Sequence, residues 1–342
     1  MTLEIETLEK KVEGLTTLLA EVHEKLSKEP NDAIAKEQLE KITEAASLAV
    51  EKRHFKGNEE PEFELKESFF AKIKSLFKKE EREIVLIDPE GKEKLEGLII
   101  QGNKIKILPP ADERSFKPGL YKLKIKQGGE EIIQEFTWGV LAINVNKSIY
   151  LPGETAYLQM AALKDDGHTI CDANLKLEII IPDGESFSAS VENSGECGPN
   201  NVTDVPDYFA YYRVGGSGIY QMKLTNLDNG YEISDSFEVR DSVPFDIERI
   251  GPTRIYPPAK YEVTLKIKAN QDFIGEVMEY VPESFLIAGT SGERQEVRNG
   301  DKLIAWQVDW KAEESYELKY TFDAPDISPY LYLLGPLEIN SF

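Results

Sequence analysis

Cysteine, histidine, long apolar runs and positive charge are all scarce in this chain, and each scarcity removes a class of function. The 342 residues contain two cysteines and three histidines. A structural zinc site normally takes four Cys or His ligands, whereas His168, Cys171 and Cys197 offer three and would need an Asp to complete the set. The same residues could be drawn as a Cys/His nucleophile pair, but no glycine-lined oxyanion geometry accompanies them. No stretch of about 18 apolar residues exists, so no helix spans a bilayer. The opening Met1-Thr2-Leu3-Glu4-Ile5-Glu6 lacks the basic and apolar regions of a signal peptide. Two readings stay open: a cytoplasmic chain, or an exported one whose leader lies outside this sequence.

Lys and Arg number 40 against 62 Asp and Glu, a formal net charge of -22. Nucleic-acid affinity comes largely from cations that replace counterions along the phosphate backbone, so no nucleic-acid partner is expected. With so many carboxylates, any two could be drawn as a general acid and base, and their abundance carries no information. Apolar residues make up 41 %, enough for two to four domains with cores of their own.

A tyrosine followed by a period-2 apolar run recurs three times, at Tyr121, Tyr220 and Tyr316. The spacings are 99 and 96 residues. That is close to the roughly 100 residues of one immunoglobulin-like sandwich, in which a corner tyrosine opens a late strand. The fold class expected is mainly β: tandem immunoglobulin-like sandwiches preceded by an α-helical hairpin.

The first residues have a different period. Ile5, Leu8, Val12, Leu15, Leu19, Val22 and Leu26 alternate spacings of 3 and 4, an a/d seam among Glu and Lys. Glu29-Pro30-Asn31-Asp32 breaks this helix, and a second runs from about Ala33 to His54, with Leu39, Ile42, Ala46 and Ala49 on one face. Residues 1–56 therefore read as a helical hairpin or coiled coil, serving as a packing element or for self-association. Residues 57–80 read as a linker and an amphipathic helix with Phe69, Phe70, Ile73, Leu76 and Phe77 on one side and lysines on the other. Such a face suits packing on the neighbouring sandwich, or a membrane surface or partner groove.

Residues 81–138 carry about five strand candidates, a small sandwich. Residues 139–242 carry seven, with turn signals at Pro152-Gly153, Lys164 to Gly167, Pro182 to Gly184 and Leu227 to Gly230, the pattern of a complete sandwich. Residues 243–342 carry five, Tyr330 to Ile339 expected as the last. Trp306, Val308 and Trp310 share one face there, as core or as a stacking platform. Cys171 and Cys197 fall in one β module, which suggests an intradomain disulfide and an oxidising compartment, the alternative being two unrelated thiols.

No cofactor is expected. Calcium is a possibility, because oxygen ligands cluster at Asp165-Asp166-Gly167, at Asn200 to Asp204 and at Asp228-Asn229-Gly230, although no loop has EF-hand spacing and solvated turns share this composition. Asn146 and Asn201 fit the glycosylation tripeptide.

The run Asn144-Val145-Asn146-Lys147-Ser148-Ile149-Tyr150-Leu151-Pro152-Gly153-Glu154-Thr155 resembles the macroglobulin-like (MG2) module of the α2-macroglobulin and complement family, over about residues 139–240. The resemblance implies a sandwich fold. The thioester motif that a complete trap would carry, Cys-Gly-Glu-Gln, is absent, since Cys197 sits in Gly195-Glu196-Cys197-Gly198-Pro199. The expectation is a non-enzymatic surface protein for adhesion, spacing or envelope scaffolding, with an unidentified protein or glycan ligand and no transmembrane segment. Two alternatives stand beside it: a fragment of a macroglobulin-like protease trap, and an intracellular coiled-coil scaffold.

Overall fold

The structure is a computed structural model, and it describes residues 54–64, 83–94, 97–101, 104–108, 114–127, 130–198, 202–256, 259–292, 294–298 and 301–341. The heptad seam from Ile5 to Leu26 and the face formed by Phe69, Phe70, Ile73, Leu76 and Phe77 lie outside these residues. Among the described residues the regular structure is β-strand throughout. His54, where the second helix was expected to end, instead forms a two-residue strand with Phe55, parallel to Thr137 and Trp138.

The chain forms two compact units. In the first, whose described part lies within residues 60–108 and 121–136, Glu83–Ile87 pairs antiparallel with residues 122–126 and with Glu93–Lys94. A second sheet runs Glu62–Glu64, Lys104–Ile107, Leu98–Gln101. Its sequence Lys-Ile-Lys-Ile shows the rule at work: alternate side chains leave opposite faces, so Ile105 and Ile107 are buried while Lys104 is exposed. Phe63 and Tyr121 both pack their rings on Phe136.

The second unit comprises residues 54–59, 109–120 and 137–342 and contains two sandwiches. The first sandwich pairs the sheet Leu141–Val145, Thr155–Ala162, Tyr208–Arg213, Glu192–Asn193 with the sheet Ile149–Tyr150, Tyr231–Val239, Gly218–Asn226, Leu175–Ile180, Ser186–Ala189. Inward residues of both form one core, with Leu158, Met160, Leu177, Ile179, Met222 and Leu224 essentially closed to solvent. Each such side chain contributes about 1.5–3 kcal/mol through burial. The second sandwich pairs Phe245–Ile250, Lys260–Ala269, Ser315–Asp323, Leu286–Thr290 with Arg294–Arg298, Asp301–Trp310, Phe273–Pro282, Leu337–Ser341. Trp306 and Trp310 are core residues of it, and the Trp306 indole N–H donates to Ser291 Oγ at 3.0 Å.

The corner tyrosines differ in detail. Tyr220 is buried, and its hydroxyl donates to Gly216 O at 2.9 Å while accepting from Gly215 N–H at 3.1 Å. Tyr316 accepts the same way from the residue five before it, Lys311 N–H at 2.7 Å, but donates to the Glu314 carboxylate and stacks on Trp310 from a half-buried position. Tyr121 stacks on Phe136 in the first unit.

One strand expectation is corrected. Tyr330 to Ile339 is not a continuous strand but two, Leu331–Tyr332 and Leu337–Ser341. Gly335 takes a left-handed φ of 88° and gives its N–H to Tyr280 O, and Pro336 has no N–H to continue a ladder. Leu331–Tyr332 pairs instead with Ser115–Phe116.

Candidate functional site: the braced joint between two sandwiches

The run from Asn144 to Thr155 is a strand, a short second strand and a Pro152-Gly153 turn, in which Gly153 takes a φ of 85° that L side chains rarely adopt. The turn is pinned by Glu154, whose carboxylate accepts the Leu151 N–H at 2.8 Å. Tyr150 is buried with its ring edge-on to Phe237, and its hydroxyl donates to Asn146 Oδ1 at 2.6 Å. Burial pushes the Tyr150 phenol far above its ordinary range, so it stays a neutral donor.

These contacts aim two side chains at the neighbouring sandwich. Lys147 Nζ lies 2.9 Å from Glu154 in its own module and 2.9 Å from Asp246 in the next. Asn146 Nδ2 donates to Glu248 at 2.9 Å, and the Asn146 carbonyl accepts a longer bond, 3.4 Å, from Arg249 N–H. Burial alone would lower the Lys147 pKa, but the hydrogen bonds to Asp246 and Glu154 outweigh it, and the net shift is upward.

The strand Phe245–Ile250 that supplies Asp246 and Glu248 also anchors inward. Arg249 makes a two-pronged pair with Glu279, at 3.0 and 2.9 Å, and Glu279 is fully buried. Complete burial raises the Glu279 pKa, with Arg249 and the Tyr320 hydroxyl pulling the other way. A carboxylate in a core is costly unless paired and hydrogen-bonded, and both conditions hold here.

A second brace stands at the disulfide. Cys171 and Cys197 are bonded, with Cα atoms 5.4 Å apart. Arg254, in the second sandwich, pairs with the buried Asp207 of the first and donates to Gly198 O at 3.0 Å. Burial raises the Asp207 pKa against the pull of Arg254. Thr203 and Arg254 form a backbone bridge, and Thr253 Oγ1 donates to Val205 O at 2.8 Å. A third contact comes from residues 114–116: Arg114 makes a two-pronged pair with Asp301, at 2.7 and 3.0 Å, and Phe116 stacks on Trp138 at 4.4 Å.

Sequence reasoning singled out Asn146, Lys147, Tyr150, Glu154 and the two cysteines, and the structure brings the first four together. It did not single out Asp246, Glu248, Arg254 or Asp207. The linear signal of Asp246 and Glu248 is an alternation of charge and apolar residues in Phe245-Asp246-Ile247-Glu248, which any half-exposed strand shows, and Arg254 and Asp207 lie outside that run. The loop oxygens considered for calcium serve turns and loops: Asp166 accepts from His168 N–H, Asp228 from Asn174 N–H and Asp165 from the Tyr231 hydroxyl. Asn200 and Asn201 lie outside the described residues. Among the described residues no three or more His, Cys, Asp or Glu side chains are grouped to hold a metal ion, and there is no helix long and apolar enough to cross a membrane.

Fold and joint define a tandem β-sandwich protein whose last two modules are fastened to each other. No family pattern and no curated protein matches the chain. Solved structures similar to it include trypsin-activated alpha-2-macroglobulin from Escherichia coli (12 % identity, TM-score 0.22, 69 % of this chain and 17 % of that one). Another is a DUF4785-family protein from Legionella pneumophila (11 %, 0.23, 70 % and 69 %). A third is the broadly conserved Escherichia coli adhesin FdeC (12 %, 0.22, 75 % and 85 %). The chain thus spans less than a fifth of the length of the macroglobulin.

Proposed function

We propose that this chain is a non-enzymatic, multi-module β-sandwich segment of a surface or envelope protein, and that it spaces an adhesive or scaffolding region by holding successive modules at a fixed angle. The observation that carries this reading is the double brace between the last two sandwiches, Lys147 and Asn146 on Asp246 and Glu248, and Arg254 on Asp207. A linker alone would leave module orientation free; two separate braces across one joint oppose reorientation about the linker. The Cys171–Cys197 bond supports an oxidising compartment, where such bonds persist. Assignment of residues 139–242 as a macroglobulin-like module belongs to the same proposal, supported by the Pro152-Gly153 turn and the seating of Tyr150.

The test is a distance measurement across the joint in the full chain. Spin labels carried by keto amino acids at the exposed positions Ser234 and Glu317 should give one narrow distance distribution, broadened when Lys147→Ala and Arg254→Ala are combined. A distribution that is already broad in the wild type would remove the spacer reading.

A further inference from the structure

The two sheets of the first sandwich in the second unit have outer faces of opposite chemistry. One, on Leu175–Ile180, Gly218–Asn226 and Tyr231–Val239, is laced with ion pairs: Lys176 with Glu178 at 3.0 Å and Lys223 with Glu232 at 2.9 Å. That is the ordinary solvated exterior of a sheet. The other, on Leu141–Val145, Thr155–Ala162 and Tyr208–Arg213, presents Ala142, Asn144, Thr155, Tyr157, Gln159, Ala161, Phe209, Tyr211 and Arg213 on its outward positions. None is acidic, in a chain of net charge -22. Glu192, across from Phe209 on the edge strand, is the carboxylate at its margin.

Three aromatic rings dominate this face. Register places Tyr157 opposite Tyr211 and Gln159 between Asn144 and Phe209. Ring centroids are 5.1 Å apart for Tyr157 and Tyr211, 5.7 Å for Phe209 and Tyr211 and 6.0 Å for Tyr157 and Phe209. Tyr211 is 60 % exposed. The carboxamides of Asn144 and Gln159, the Thr155 hydroxyl and the Arg213 guanidinium rim the rings.

Size and charge choose the occupant. Six residue steps from Thr155 to Ala161 and three strand widths across give about 20 by 14 Å, roughly 280 Å², from ordinary strand rise and spacing. A stable protein interface needs about 800 Å² on each side. The face is therefore too small to hold a second copy or a folded partner by itself, and it fits a ligand a few rings long. A polyanion would meet one guanidinium on a strongly acidic protein. An uncharged saccharide has apolar C–H faces for the ring π-systems and hydroxyls that accept from the carboxamides and the Arg213 guanidinium.

We propose that the outer face of Tyr157, Phe209 and Tyr211, rimmed by Asn144, Gln159 and Arg213, is a binding site for a neutral oligosaccharide. This inference rests on the reading of the chain as a surface spacer and supplies its ligand class, yet the two fail separately, because a distance measurement tests the joint and a titration tests the face. The experiment is isothermal titration of the full chain with chitohexaose and cellohexaose, each against a heparin hexasaccharide. Tyr211→Ala, Tyr157→Ala and, on the opposite sheet, Lys223→Ala are compared after circular dichroism has shown them folded. At least one neutral hexasaccharide should bind, with affinity falling tenfold or more in Tyr211→Ala, unchanged in Lys223→Ala, and with heparin weaker than that hexasaccharide. Should Tyr211→Ala fail to fold, saturation-transfer NMR on the wild type, reading transfer to the tyrosine ring resonances, replaces it. No binding of either neutral probe at millimolar concentration, binding indifferent to both tyrosine variants, or concentration-dependent self-association that Tyr211→Ala abolishes would each overturn the proposal.

Discussion

The Lys147 ammonium stands 2.9 Å from Asp246, 99 residues away in sequence, and the contact crosses from one β-sandwich to the next. With Glu154 on its other side, Lys147 is the charged centre of the joint. Removing it leaves two carboxylates facing each other. Lys147→Ala should lower stability by about 1 kcal/mol, the upper part of the range for partly solvated pairs, and lower the melting temperature by about 2–4 °C. Differential scanning calorimetry at low and high salt checks this, because screening should shrink the difference between variant and wild type.

The same contact sets a pH response. The folded-state pKa of Lys147 lies above its ordinary value, so its contribution to stability is fully present below about pH 10, the unfolded lysine range, and is lost as pH rises through the folded value. The joint should hold its spin-label distance from pH 6 to 9 and broaden only in alkali. Lys147→Arg, which keeps its charge there, should delay the broadening.

Glu279 offers a sharper contrast. Glu279→Ala leaves the Arg249 guanidinium, whose side chain is one-third exposed, without its carboxylate partner and should cost about 1–3 kcal/mol, read from urea denaturation. Replacing both, as Glu279→Leu with Arg249→Met, should recover most of that loss, since a well-packed apolar pair substitutes readily for a buried ion pair. If the double variant is no more stable than Glu279→Ala, the pair does more than satisfy its own burial.

The Cys171–Cys197 bond closes a loop with a sequence separation of 26. Loop-closure entropy for that length is about 3.5 kcal/mol. Reduction should lower the melting transition of the sandwich that contains it, and loosen Arg254 from Asp207 because Gly198, whose carbonyl accepts from Arg254, directly follows Cys197. Mass spectrometry after alkylation should show no added label without reductant and two with it.

Tyr220→Phe removes a buried hydroxyl that both donates and accepts, leaving the Gly215 N–H and Gly216 carbonyl without it, and should cost about 1–3 kcal/mol. Tyr316→Phe removes bonds at a more exposed corner and should cost less than half as much by the same thermal measurement.

Much of this protein was determined by its linear order. Alternation in Thr155 to Ala162 or in Lys104 to Ile107 fixes which side chains face inward, because strand geometry turns every second residue to one side. Tyr220 and Tyr316 each stand near the start of a strand of one of the two sandwiches, and Pro152-Gly153 marked the turn that carries Lys147 and Asn146. Alternation says where a residue points and nothing about what stands opposite, so only the tertiary structure decided the rest. It alone set Asp246 before Lys147, Arg254 before Asp207, and Glu279 beneath Arg249, and it broke the expected last strand at Gly335. It also gathered Tyr157, Phe209 and Tyr211 on one open face, since pairing between strands some 50 residues apart is fixed by core packing and register, which no local pattern encodes.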